Sequence, residues 1–141
     1  MDQSELRIGN LIASSGNPSN KETWIIGKVI SISSLNTDFE QLEIETDEEF
    51  TWFFKDNYFG IPLSIDILKN MGFKELRDDI YQFWSKDVGI FQVIVCSDNN
   101  GFGIRIWVTG TFGRTIYYVH DFQNLFYSLT GVELDTSKLI N

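Results

Sequence analysis

The segment that most constrains the fold is residues 115–134, T-I-Y-Y-V-H-D-F-Q-N-L-F-Y-S-L-T-G-V-E-L, where apolar period, start signal and stop signal coincide. Phe122, Leu125, Phe126 and Leu129 recur at i, i+3, i+4 and i+7, the spacing of one stripe on an amphipathic helix. Asp121 is of the type that caps a helix N-terminus, its carboxylate reaching the amide of Asn124. Gly131 falls where a left-handed residue ends a helix, with Val132 placed to fold back onto Phe126 or Tyr127. The stripe predicts a closing helix that roofs a β layer.

The β layer is legible upstream. Leu6, Ile8, Leu11 and Ile12 read as a first strand bent at Gly9-Asn10, followed by a polar loop over residues 13–22. Residues 23–33, T-W-I-I-G-K-V-I-S-I-S, place Trp24, Ile26, Ile30 and Ile32 on one strand face, interrupted by Lys28, and Ile25 and Val29 on the other. Leu42, Ile44 and Thr46 alternate with Gln41, Glu43 and Glu45, the clearest one-sided strand in the chain. After Asp47-Glu48-Glu49, a strand over residues 50–55 carries Phe50, Trp52 and Phe54 on one parity. Four short strands at hairpin spacing predict a small curled sheet or partly open barrel.

Residues 61–73, I-P-L-S-I-D-I-L-K-N-M-G-F, form a short helix with both ends marked. Ser64 is the N-cap, Asp66 suits the first turn, Leu63 staples onto Leu68, and Gly72 ends the helix so that Phe73 closes back on Leu68. Residues 80–85, 90–96, 102–109 and 114–119 then read as four strands of an antiparallel meander, joined by K-D-V-G, S-D-N-N-G and G-T-F-G. The expected fold is α+β: a small antiparallel barrel-like N-terminal sheet, a short helix, then a four-stranded meander capped by a C-terminal helix. A chain of 141 residues makes one compact domain, 1–141, with sub-structures 1–60 and 61–141.

Composition narrows the function. A net charge of -9 repels phosphate backbones, so nucleic-acid binding by direct backbone contact is disfavoured; Arg105 and Arg114 on neighbouring strands read as surface residues. The single cysteine, Cys96, excludes an intramolecular disulfide framework or a cysteine zinc site and reads as an inert half-buried thiol. The N-terminus lacks a secretory pattern, and no apolar run approaches the ~20 residues needed to cross a bilayer, so the expectation is a cytoplasmic protein with no membrane partner.

No motif carries a recognised chemistry: no catalytic, metal or cofactor site is predicted. His120-Asp121 are adjacent, and neighbouring helical positions point apart, so a structural role outweighs acid–base catalysis. Glu43, Glu45, Asp47, Glu48 and Glu49 form an acidic edge without the alternate oxygen ligands and glycine of a calcium loop; it reads as a solvated turn or as a protein-binding edge. Gly101, Gly103, Gly110 and Gly113 lack the strand–loop–helix setting and lysine of a phosphate cradle, and Asn100-Gly101 is a turn signal. Phe112, Tyr58 and Phe59 lie on loops that either anchor partners or plug cores. His120, Gln123, Asn124 and Tyr127 gather opposite the apolar stripe, as an uncharged binding surface or as groups satisfying buried backbone.

The stretches E-L-R-I-G-N-L-I at 5–12, I-P-L-S-I-D-I-L-K-N-M-G-F at 61–73 and V-H-D-F-Q-N-L-F-Y-S-L-T-G-V-E-L at 119–134, in that order, resemble a group of small uncharacterised proteins frequent in Bacteroidetes genomes and in their phages and prophages. In that group the closing segment runs V-H-x-L-Q-N-L-Y-F-A-L-T-G, matched here by His120, Gln123, Asn124, Leu125, Leu129, Thr130 and Gly131. The departures are Phe122 for leucine, the reversed aromatic pair Phe126-Tyr127, and Ser128 for alanine. The resemblance implies a mobile-element setting. With the acidity and aromatic content, it points to a non-enzymatic protein-binding module acting on a host or phage protein, such as an anti-defence inhibitor of a host nuclease. A small-barrel binder of nucleic acid or a small ligand, stacking on Trp24 and Trp52 beside Lys28, Lys55 or Arg7, is the alternative; an enzyme built around His120 is the third reading.

Overall fold

A computed structural model describes residues 5–15, 17–34, 40–46, 50–54, 57–77, 82–98, 101–106 and 115–139. Contacts divide the chain into two compact units, Met1–Ile61 with Leu139–Asn141, and Pro62–Lys138. Both are antiparallel sheets, and the two α-helices belong to the second, so the class is α+β. No helix among the described residues is long and apolar enough to cross a membrane.

The first unit contains β1 (Leu11–Ser14), β2 (Ile25–Ser34), β3 (Glu40–Glu45), β4 (Phe50–Phe54) and β5 (Tyr58–Phe59), in the sheet order β4-β3-β2-β1-β5. The order runs from β4 at one edge to β5 at the other, and no closure of the expected barrel-like kind is found among the described residues. Its core is Leu6, Ile12, Val29, Leu42, Ile44 and Tyr58, with Ile32 packed against it. On β3 the alternation is as the sequence predicts: Leu42 and Ile44 are fully buried, Glu43 is half-buried and Glu45 exposed.

The strand β2 departs from its predicted parity. Val29 pairs with Ile44 and Ser31 with Glu43, so the register slips at Ile30, which is the extra residue of a β-bulge. Val29 and Ile32, assigned to opposite faces by strict alternation, therefore pack on the same core. The bulge sits beside a clasp. Gly9 N–H donates to the Val29 carbonyl (2.8 Å), and Val29 N–H donates to the Asn10 carbonyl (2.8 Å). Gly9 adopts φ +96°, and the fully buried Asn10 accepts the Arg7 amide on its Oδ1 at 2.9 Å. This turn replaces the bent strand expected from Leu6 onward, because an asparagine side chain and a left-handed glycine satisfy the backbone locally.

In the second unit, α1 (Ile65–Asn70) is closed at both ends as its sequence predicts. The Ser64 hydroxyl accepts the Ile67 amide at 3.3 Å. At the other end Phe73 N–H reaches the Leu68 carbonyl and Gly72 N–H the Lys69 carbonyl, both at 3.0 Å, around Gly72 at φ +90°. This is a Schellman closure, and Phe73 and Leu68 are both buried. The Lys86 ammonium donates to the Met71 carbonyl at 2.7 Å, placing a cation on the negative end of the helix.

The meander is β6 (Lys74–Arg77), β7 (Gln82–Val88), β8 (Phe91–Asp98) and β9 (Gly101–Ile106), in chain order. It has four strands, but not the predicted four. The first, K-E-L-R, carries charge at three of its four positions and shows no apolar alternation. The stretch expected as a fourth strand, 114–119, contributes single bridges, Ile116 to Phe102 and Tyr118 to Pro62. That crossing is close: a methyl added to Gly101 would overlap Thr115 and approach the Ile116 carbonyl. Between β7 and β8 the turn shrinks to Gly89-Ile90, with Gly89 at φ +59°, so Val88 pairs directly with Phe91. Trp84, Val93, Val95, Phe102 and Ile104 are buried, and Trp84 meets Phe102 edge-on at 6.2 Å. The helix α2 (Val119–Thr130) reaches α1 through Phe73, whose ring lies 5.6 Å from Phe122 and 6.4 Å from Phe126.

Gly27, opposite Ile12 on β1, has no room for a side chain, since a methyl there would overlap Cγ2 of Ile44. Gly27→Ala is expected to lower stability by about 1–3 kcal/mol, the usual cost of overpacking. Adding Ile44→Ala should then cost less than it does alone, which a double-mutant cycle by urea denaturation measures.

Candidate functional site

The predicted binding surface on α2 is divided by the structure. The helix starts at Val119 with Tyr118 as N-cap, so Asp121 lies in the first turn and not at the cap as predicted. Its carboxylate suits the positive end of the helix dipole from there. The buried face is Val119, His120, Phe122, Gln123 and Phe126, so it begins a turn earlier than the all-apolar reading. Leu125 is half-buried and Leu129 exposed.

His120 and Gln123 are consequently buried, Asn124 is half-buried, and Tyr127 is 45% exposed. The four do not form one exposed patch. His120 is covered in part by Tyr118, whose ring stacks on the imidazole at 5.8 Å and 17° while remaining 42% exposed. Tyr118 was missed in the sequence because T-I-Y-Y reads as strand. The C-terminal end of α2 is closed by Gly131 at φ +71°, whose N–H donates to the Tyr127 carbonyl. The Thr130 hydroxyl adds a second closure, donating to the Phe126 carbonyl at 2.8 Å and accepting the Val132 amide at 3.1 Å. Val132 itself is 47% exposed.

The acidic edge is described at two of its five positions. Glu43 lies opposite Ser31 and Trp52, and Glu45 opposite Lys28 and Phe50, on the face of β3 turned away from Leu42 and Ile44. Asp47, Glu48 and Glu49 lie outside the described residues, as do Lys55, Phe112 and Arg114. The side chains of Trp52 and Arg105 are also outside them. Trp24 is half-buried, edge-on to Phe59 at 5.0 Å, and its indole N–H donates to the Pro18 carbonyl at 3.0 Å. Those contacts hold the indole between its own loop and β5. Cys96 is half-buried on β8. Among the described residues, no three His, Cys, Asp or Glu side chains gather as metal ligands.

No known protein family, curated protein or solved structure matches the chain.

His120 is fully buried, so His120→Ala is expected to lower stability by about 2–4 kcal/mol, in the range of large-to-small core substitutions. Urea denaturation checks this; a loss below about 0.5 kcal/mol, the level of a surface substitution, would remove the ring from the core.

Proposed function

We propose that the chain is a non-enzymatic protein-binding module, encoded by a mobile element, whose acidic sheet face engages a basic surface of a host protein. A defence nuclease is one concrete target. The observation that carries this reading is the Glu43/Glu45 row, held away from the core by the strict alternation of β3 in a chain of net charge -9. Nucleases present basic clefts to phosphate backbones, and a carboxylate-bearing surface competes for the same field. The host setting rests on the resemblance, read from residues 5–12, 61–73 and 119–134, to small proteins frequent in Bacteroidetes genomes and in their phages and prophages.

Affinity capture from host lysates tests the reading when wild type is compared with Glu43→Lys/Glu45→Lys. The expected result is a stoichiometric partner bound by wild type and weakened about tenfold or more by the double reversal, as like charges at a docked surface repel. Absence of such a partner across several hosts, or equal capture by the reversed variant, overturns it.

A further inference from the structure

Among the described residues the two sheets present four outer edges, and three are blunted. β5 is two residues long. β6 carries Lys74, Glu75 and Arg77 in four positions, with Lys74 and Glu75 exposed. β9 is bridged at Phe102, which exchanges backbone bonds with Ile116 at 2.8 and 2.7 Å. Short length, charge and a covering segment are the ordinary protections of a sheet edge.

Among the described residues, β4 has none of them. Its sequence, F-T-W-F-F, contains no charge and no proline. Its register with β3 runs unbroken from Glu45↔Phe50 to Gln41↔Phe54, so no bulge twists it away. Among the described residues nothing pairs with its outer side. A five-residue edge of this kind is a template for one more strand.

Resting on the protein-binding reading, we infer that β4 captures an extended segment of the partner by strand addition, and that this segment alternates basic and apolar residues. Charge selects the occupant: a second copy of a chain carrying -9 is repelled, whereas a basic segment is attracted. The register sets the alternation. Directly opposed residues share a sheet face, so added residues opposite Phe50 and Trp52 align with Glu45 and Glu43. They lie two strand spacings from β3, about 10 Å away. That is about one Debye length at 0.1 M salt, so the attraction operates at low ionic strength and fades as salt rises. The intervening added residues, opposite Thr51 and Phe53, align with the buried Ile44 and Leu42 and are apolar.

The test uses the full chain and an eight-residue peptide alternating arginine and valine. Controls are a peptide of the same composition with its arginines contiguous, and two alternating peptides N-methylated at every second residue in the two possible phases. The expected result is that the alternating peptide binds about tenfold tighter than the contiguous one. One methylation phase abolishes binding and the other spares it, since only alternate amides face the edge. The amides of residues 50–54 gain hydrogen-exchange protection at alternate positions. Glu43→Lys/Glu45→Lys removes the preference for the alternating peptide. No binding, no preference, or equal binding of both methylated peptides overturns strand addition. If methylation has no effect while the glutamate reversal still abolishes partner capture, strand addition fails and the acidic-surface reading stands.

Discussion

The N-terminal sheet depends on how the backbone at Val29 is satisfied. Its N–H and carbonyl bond the Asn10–Gly9 turn on one side, while on the other the strand is in register with Ile44. A buried amide or carbonyl without a partner costs on the order of 1–3 kcal/mol, so both groups of this fully buried residue require those partners. The bulge at Ile30 follows next in the strand and restores the apolar phase. Val29 and Ile32 both reach the core, and β3 needs no irregularity of its own. The disruption is thus carried by β2, and β3 and β4 remain a regular ladder with carboxylates on one face. A clasp two strands away from the edge keeps that edge straight enough to be extended.

The second unit solves its problem differently. A six-residue helix is far too short to be stable alone. It is held by a serine cap, a Schellman closure and the Lys86 ammonium on Met71, and Phe73 follows directly into the aromatic contact with α2. The Ile67 amide and the Leu68, Lys69 and Met71 carbonyls all find partners within 20 residues of chain. Local caps close its ends, and the buried Leu68, Met71 and Phe73 tie it to the core of its unit.

That contrast explains what the sequence disclosed. The ends of α1 and the Gly131 stop of α2 were legible because their partners lie a few residues away. The alternation of β3 was legible because one face is apolar and the other acidic. The bulge in β2 was hidden, since it is defined by the register with β3 and by a turn 20 residues earlier. The α2 stripe was misplaced by a turn because His120 and Gln123 are polar yet buried, and polarity alone assigns such groups to the outside. β6 was missed because an exposed charged edge has no apolar period. Among the candidate residues, Glu43 and Glu45 lie on the face of β3 away from Leu42 and Ile44, whereas the four α2 residues are divided between interior and surface.

The pairing of β1 has a bearing on the order of assembly. β1 is flanked by β2 and β5, and its partner Phe59 lies 46 positions beyond Ala13. The meander, by contrast, is built from successive hairpins between neighbours in sequence. Contacts between distant positions form slowly, because loop entropy must be lost before they are rewarded. During synthesis from the N-terminus, one side of β1 has no strand to meet until residue 59 has left the ribosome. The N-terminal sheet is then completed by its last and shortest strand, β5.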